Sequence, residues 1–140
     1  MKKLLLALLL LPILCHAQKF IGMDKATLMN YQTNDGAYFD GVKYTTDGIA
    51  FLEYSYSLKK METNDISLEA FYLNDQNICT SYKIAFRSQN SLEYVVNHYK
   101  TDTNFVKIPE KFGWYNVKID CTVQIELKDS GGYILSCAKR

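Results

Sequence analysis

Histidine and cysteine are the side chains in this sequence that could act as a base, a nucleophile or a metal ligand near neutral pH. The 140 residues include two histidines and four cysteines, of which His98, Cys79, Cys121 and Cys137 lie beyond the amino-terminal segment considered below. A single histidine is too little for a His-rich metal site, and no paired-cysteine or His-Glu spacing occurs. We therefore predict no metal site and no cofactor.

Cys79 and His98 are the one pair that could form a nucleophile and its base. The helical pattern around His98 places it opposite the apolar positions, which predicts a solvated surface histidine instead. No glycine-rich phosphate loop and no G-x-S-x-G sequence occurs. The sequence therefore predicts a protein that is not an enzyme.

The first residues have the pattern of an export signal. Lys2 and Lys3 precede an apolar run from Leu4 to Leu14, and small residues stand before Gln18 at the −3 and −1 positions of a cleavage site. Eleven apolar residues are too few to span a bilayer as a helix. We therefore predict a signal peptide over residues 1–17, one domain over residues 18–140, and no transmembrane segment in the mature chain.

Export places the mature protein in the periplasm or outside the cell. A lipid anchor at Cys15 is the alternative, which is less favoured because Leu14 stands where a lipobox has a small residue. The whole chain has 16 basic and 15 acidic residues, and loss of the signal brings the net charge near −1. No polybasic patch remains, which argues against binding to nucleic acid.

The strongest strand pattern runs from Val117 to Leu127, where the six odd positions are apolar and the five even positions are polar. Strict alternation predicts a strand with one buried and one wet face, which is typical of an antiparallel sheet. Burial of six such side chains is worth about 9–15 kcal/mol before entropy is subtracted. We therefore predict that this is a central strand.

Two hairpins can be placed in register. Between residues 66 and 87, a three-residue loop at Asp75-Gln76-Asn77 aligns the apolar positions and pairs Leu68 with Ile84 and Ala70 with Tyr82. Such a loop needs its third residue in the left-handed conformation, which Asn tolerates.

The last hairpin turns at Gly131 and sets Val123 opposite Cys137, so that Cys121 lies diagonal to Cys137. Three mature cysteines allow either one disulfide with a free thiol or three buried thiols. Diagonal neighbours are usually too far apart for an unstrained disulfide, which favours buried thiols.

Two helices complete the plan. Asp24 is suited to cap a short helix to about Gln32, and Leu92, Val95, Val96 and Tyr99 form the apolar stripe of a second helix over residues 90–102, with Asn90 as its N-cap. Residues 37–46 have the composition of a loop or irregular strand. The predicted fold is α+β, a single antiparallel sheet with two helices on one face in the order α-β-β-β-α-β-β-β, which suggests a twofold repeat.

Several segments carry a resemblance to known proteins. The sequences FIGMDKATL, FYLNDQNICTSY, SLEYVVNHY, FGWYN and TVQIEL resemble small, uncharacterised exported proteins of Gram-negative bacteria. The layout is also similar to domains of the β-lactamase-inhibitor-protein and outer-membrane-assembly-lipoprotein type. Both resemblances imply binding rather than catalysis, and neither assigns a role to a residue.

Two functions fit these observations. In the first, an exported domain binds a protein partner through the wet face of its sheet and its loops. The candidate contact residues are aromatic residues in predicted loops and turns: Tyr38, Phe39, Tyr44, Phe112, Trp114 and Tyr115. In the alternative, the helices and sheet enclose a pocket for a small apolar ligand, lined by Tyr54, Tyr56, Tyr82 and Tyr99.

Overall fold

The computed structural model describes residues 19–34, 37–57 and 65–140. The predicted signal peptide and Cys15 lie outside the described residues. The helices are α1 (Lys25–Asn34) and α2 (Leu92–Thr101). The strands are β1 (Tyr38–Tyr44), β2 (Ala50–Ser55), β3 (Ile66–Leu73), β4 (Cys79–Phe86), β5 (Phe105–Lys107), β6 (Gly113–Asn116), β7 (Cys121–Leu127) and β8 (Tyr133–Lys139).

All eight described strands belong to one antiparallel sheet, in the order β1-β2-β3-β4-β8-β7-β6-β5. The α+β class and the antiparallel sheet are confirmed, whereas the predicted order of elements was wrong. Helix α1 precedes β1 and α2 follows β4, so each half has one helix and then four strands instead of three. The two halves meet where β4 pairs with β8.

The two strands missing from the prediction are β1 and β6. In β1 the alternation is interrupted by a bulge at Asp40, where the register to β2 shifts between Phe39 and Gly41. A bulge adds one residue to one strand and so breaks the period of two that marks a strand in a sequence. Strand β6 is only four residues long, too short to show a period.

One face of the sheet carries the core. The side chains of Phe71, Tyr82, Cys137, Val123 and Trp114 lie opposite one another across five neighbouring strands, and all five are buried. Leu28 of α1 and Val95 and Tyr99 of α2 are buried in the same cluster. Both helices therefore cover the same face, and we call the other side the open face.

The ends of the helices agree only in part with the sequence patterns. Asp24 caps α1, since its Oδ1 accepts a hydrogen bond of 2.9 Å from the backbone N–H of Thr27. The residue before α2 is Ser91 rather than the predicted Asn90, and its hydroxyl contacts the Tyr133 hydroxyl at 2.6 Å instead of capping the helix. Of the predicted stripe, Val95 and Tyr99 are buried.

The β3–β4 hairpin has the predicted loop but not the predicted pairing. Asn77 has φ 58°, as a three-residue loop requires, and Leu73 pairs with Cys79 beside it. A register shift then sets Leu68 opposite Ala85 instead of Ile84. The shift turns Leu68 toward the open face, so the predicted register was wrong.

The last hairpin has the predicted register. Val123 pairs with Cys137 and Leu127 with Tyr133, and Gly131 has φ 92° in the turn. Strand β7 begins at Cys121, however, because Val117 to Asp120 form a turn. It is flanked by β8 and β6, so the centre of the sheet lies at β4 and β8 and not at β7.

Candidate functional site

The thiol of Cys79 has the wrong environment for a nucleophile. It is buried at the start of β4, and its Sγ donates a 3.4 Å hydrogen bond to the carbonyl oxygen of Ser81. Burial raises the pKa of Cys79 to about 12. A thiol of that pKa is almost entirely protonated at neutral pH, whereas the reactive species is the thiolate. His98 packs its ring against Tyr99 and Phe105 in α2 and β5, and no hydrogen bond between His98 and Cys79 is found in the described part of the chain.

Cys121 and Cys137 are brought together on the covered face. Cys121 pairs with Lys139 and Cys137 pairs with Val123, so the two cysteines are diagonal neighbours, as predicted. Both are buried free thiols, and the Sγ of Cys137 donates a hydrogen bond of 3.4 Å to the Sγ of Cys121. This hydrogen bond lowers the pKa of Cys121 and raises the pKa of Cys137.

A buried carboxyl group lies among tyrosines at the β2–β3 pair. Glu69 is on the covered face, where it accepts hydrogen bonds from the hydroxyls of Tyr56 at 2.7 Å and Tyr82 at 3.3 Å. Tyr54 lies directly opposite Glu69, and its buried hydroxyl has no hydrogen-bond partner among the described residues. Burial and the nearby Glu69 raise the pKa of Tyr54 to about 12.

The four tyrosines predicted to line a ligand pocket fill the core instead. Tyr54, Tyr56, Tyr82 and Tyr99 are all buried in the single cluster between the helices and the sheet. Phe71 packs against two of these rings: its ring centroid is 5.8 Å from that of Tyr54 and 4.9 Å from that of Tyr82. The two grooves described on the surface are lined by other residues.

The six predicted contact residues do not form one site. Tyr38, Phe39 and Tyr44 lie on β1, whereas Phe112, Trp114 and Tyr115 lie on or beside β6. Six strand spacings separate β1 from β6 in the sheet, and at about 4.8 Å each they amount to roughly 29 Å. The two groups are therefore near opposite edges of the sheet.

Trp114 is a core residue. Its side chain is only 1% exposed, and its ring stacks on Tyr99 with centroids 5.4 Å apart. Lys107 of the edge strand β5 places its ammonium group 5.3 Å from the indole centroid, which covers the ring from the outside. Trp114 lies on β6 opposite the buried Val123 and faces the helices, so it is not the exposed turn residue that the sequence predicts.

Tyr115 and Phe112 are accessible but already have local partners. The Tyr115 hydroxyl donates a 2.7 Å hydrogen bond to Asp120, and Arg140 lies over its ring at 5.5 Å. The hydrogen bond to Asp120 raises the pKa of Tyr115. Phe112 is partly exposed and rests against Trp114 with ring centroids 5.8 Å apart. These contacts hold the turn around β6 in place.

Strand β1 is the most exposed apolar element of the described chain. It forms one edge of the sheet, where β2 is its only partner among the described strands. Its large hydrophobic side chains are exposed by 61% at Tyr38, 43% at Phe39, 38% at Val42 and 69% at Tyr44. Soluble monomers rarely leave such an edge strand free, because its unpaired backbone groups are a template for another strand.

A groove continues from the end of β1. It has a volume of about 510 Å³ and lies between the β1–β2 turn and the β3–β4 loop. Tyr44, Ile49 and Leu73 give it apolar surface, while Asp47 and Asp75 are the acidic groups in its lining. Asn74, Asn77 and Thr80 add further polar groups, so the groove is more polar than a typical small-ligand pocket.

The open face is more polar and largely satisfied by its own contacts. Phe51 and Tyr72 stack with centroids 5.1 Å apart, and Lys83 lies 5.5 Å from the Tyr72 ring. Lys43 forms an ion pair with Glu53. These pairs are what a solvated sheet face typically shows, so β1 stands out as the candidate site.

Comparisons with protein-family models, with curated proteins and with solved structures each found no match for this chain. The resemblances drawn from the sequence therefore stay predictions. Among the described residues, no group of three or more His, Cys, Asp or Glu side chains is arranged to hold a metal ion. No helix in that same part of the chain has the length and apolar character needed to cross a membrane.

Proposed function

We propose that this protein is a non-catalytic interaction domain, and that it binds an extended segment of a partner protein along β1. The observation that carries the proposal is the exposure of β1. It is an edge strand of seven residues that leaves four large hydrophobic side chains in solvent. An added strand would bury these side chains and pair the free backbone groups of β1 at the same time.

Strand β1 offers contacts on both of its faces. Tyr38 is opposite Ser55 and belongs to the open face, whereas Phe39, opposite Tyr54, belongs to the helix side. Val42 and Tyr44 are also on the helix side, and both side chains are exposed there. A bound strand would therefore find apolar side chains for its alternate residues on either side, which is how strand addition achieves selectivity.

The other edge of the sheet is less suited to strand addition. Strand β5 has three residues against the seven of β1. Its Phe105 is buried, and Lys107 donates hydrogen bonds to the carbonyl oxygens of Ile108 and Lys111. A short edge strand that ends in a charged residue is a usual protection against unwanted pairing. Val106 is the exposed apolar side chain there and serves as a matched control below.

Features of β1 restrict which strand could pair with it. The bulge at Asp40 interrupts the edge, and Gly41 has φ 117°, which few other residues adopt. The regular stretch from Gly41 to Tyr44 contains Lys43, whose ammonium group is held by Glu53. Bulges and edge lysines disfavour strand addition in general, so a partner strand has to fit the bulge and pair chiefly with the stretch from Gly41 to Tyr44.

The groove at Tyr44 would extend the same site. A partner segment that runs along β1 past Tyr44 would reach the space between the two turns, next to Ile49. The acidic groups Asp47 and Asp75 in the lining favour a basic or amide side chain at that point of the partner. The groove thus supplies specificity beyond the backbone hydrogen bonds.

The predicted export of the chain supports a partner that lies outside the cytoplasm. The lysines, apolar run and small residues of positions 1–17 are typical of a signal peptide. We propose that the mature chain acts in the periplasm or outside the cell. Absence of catalysis is part of the proposal, and the buried, protonated thiol of Cys79 supports it.

A pair of valine variants tests the site. Val42→Lys puts a charge on β1, and Val106→Lys puts the same charge on the exposed valine of β5. With the purified protein as bait and the envelope fraction of its source as sample, the wild type and Val106→Lys should capture the same partner. Val42→Lys should capture roughly tenfold less of this partner, which corresponds to a loss of about 1.4 kcal/mol of binding free energy. Its melting temperature should equal that of the wild type.

Equal capture by both variants would contradict the assignment to β1. If Val42→Lys lowers the melting temperature, Tyr44→Lys at the most exposed position of the strand replaces it. Sedimentation of the wild type alone provides a further check. Self-association that Val42→Lys abolishes would mean that β1 pairs with a second copy, which would overturn the proposal of a different partner protein.

A further inference from the structure

The two thiols on β7 and β8 are close enough to react with each other. Cys121 and Cys137 both point to the covered face, and their Sγ atoms are 3.4 Å apart. A disulfide bond is about 2.05 Å long, so rotation of the two side chains has to close roughly 1.4 Å. No other pair of cysteine sulfurs among the described residues is in hydrogen-bond contact.

The position of the pair in the sheet explains this contact. Diagonal neighbours in an antiparallel pair have Cα atoms about 7–8 Å apart on average, above the roughly 4.4–6.8 Å that disulfides usually span. The twist of a sheet makes one of the two diagonals shorter than the other. The 3.4 Å contact of the two sulfurs shows that the side chains of the Cys121–Cys137 diagonal meet.

We propose that Cys121 and Cys137 are a site of disulfide formation during folding in an oxidising medium, and that Cys79 stays a free thiol. The oxidant is a disulfide, either that of oxidised glutathione or the active-site disulfide of a thiol–disulfide oxidoreductase. One cysteine thiolate attacks the oxidant and forms a mixed disulfide, and the second thiolate attacks that bond. The two cysteines lose two protons and two electrons, and the oxidant leaves as two thiols.

Burial decides when the reaction takes place. Cys121 and Cys137 are 0% and 1% exposed, so an oxidant has no access to them in the folded protein. The bond must therefore form before the helices close over the sheet. Cys79 is equally buried, but its Sγ donates its hydrogen bond to the carbonyl oxygen of Ser81 and not to another cysteine. Whether a chain contains the disulfide should thus depend on the medium in which it folded and not on later exposure of the folded protein to an oxidant.

Peptide mapping tests the site. The protein is unfolded in reducing denaturant and refolded in a buffer of reduced and oxidised glutathione, and the remaining thiols are blocked before digestion with trypsin. Cleavage after Lys118, Lys128 and Lys139 places Cys121 in peptide 119–128 and Cys137 in peptide 129–139. We expect the two peptides joined, with a mass about 2 Da below their sum because two hydrogen atoms are lost.

Two variants make the result specific. Cys79→Ser should leave the joined peptides unchanged, whereas Cys137→Ser should abolish them. The oxidised wild type should also unfold cooperatively at a higher temperature than the reduced form, and dithiothreitol should remove the difference. Recovery of both peptides with free or glutathione-bound thiols would overturn the proposal, as would a link to Cys79 or a joined product that no longer unfolds cooperatively.

Discussion

The hydroxyl of Tyr56 donates a 2.7 Å hydrogen bond to Oε2 of Glu69 inside the core. Glu69 is on β3, and Tyr56 follows the end of β2. Tyr82 donates a second, longer hydrogen bond to the same carboxyl group at 3.3 Å. Glu69 breaks the apolar character of the covered face, and these hydroxyl groups help to compensate its burial.

Replacement of Tyr56 by Phe should therefore destabilise the protein. The change keeps the ring and removes one hydrogen bond to a buried carboxyl group, which costs about 1.5–3 kcal/mol when that group is charged. Urea unfolding followed by circular dichroism measures the loss. Tyr72→Phe is the control, because Tyr72 lies on the open face. Its contacts with Phe51 and Lys83 are made by the ring, which the change keeps. Equal stability of the two variants would contradict a structural role for the Tyr56–Glu69 hydrogen bond.

Loss of the Trp114 side chain should cost far more than loss of its neighbour. Trp114→Ala removes a buried ring stacked on Tyr99, a change that costs about 3–5 kcal/mol. Phe112→Ala removes a partly exposed ring and should cost under about 1 kcal/mol. Thermal unfolding of the two variants tests this order. A Trp114→Ala protein as stable as the wild type would show that the indole lies outside the core.

Asn77 provides a test of the β3–β4 loop. It has φ 58°, a conformation that glycine adopts freely and a β-branched residue resists. Asn77→Gly should be neutral or mildly stabilising, whereas Asn77→Val should cost on the order of 1 kcal/mol or more. The free energy of unfolding in urea distinguishes the two. Equal values would mean that the loop does not hold position 77 in the left-handed conformation.

The sequence predicted local pairing well where each strand alternates cleanly. Strands β7 and β8 have one apolar side each, and Gly131 fits the turn between them, so the register follows from matching the two patterns. Strand β3 differs because both of its sides are apolar, and the one charged residue, Glu69, faces the core. Two bulges shift the register between β3 and β4, and neither can be recognised from the sequence pattern.

The candidate site was predicted only in part. The sequence identifies the aromatic residues of β1 as candidates but predicts a loop or irregular strand there, because Asp40 and Gly41 interrupt the alternating pattern. The sequence predicts Trp114 in a turn, because a four-residue strand is too short to show which of its side chains face the helices. That β1 is an edge depends on the pairing of β4 with β8 across half of the chain, a long-range contact that local patterns do not determine.

Hydrogen–deuterium exchange on the protein bound to its captured partner shows whether a partner strand adds to β1. In the free protein, the outward amides of β1 have no partner strand and should exchange rapidly. In the complex, we predict that peptides covering Tyr38–Tyr44 become protected by at least roughly tenfold, since each new backbone hydrogen bond must open before exchange. Peptides covering Phe105–Lys107 should not change. Protection confined to β5 or to the open face, with β1 unchanged, would contradict the account.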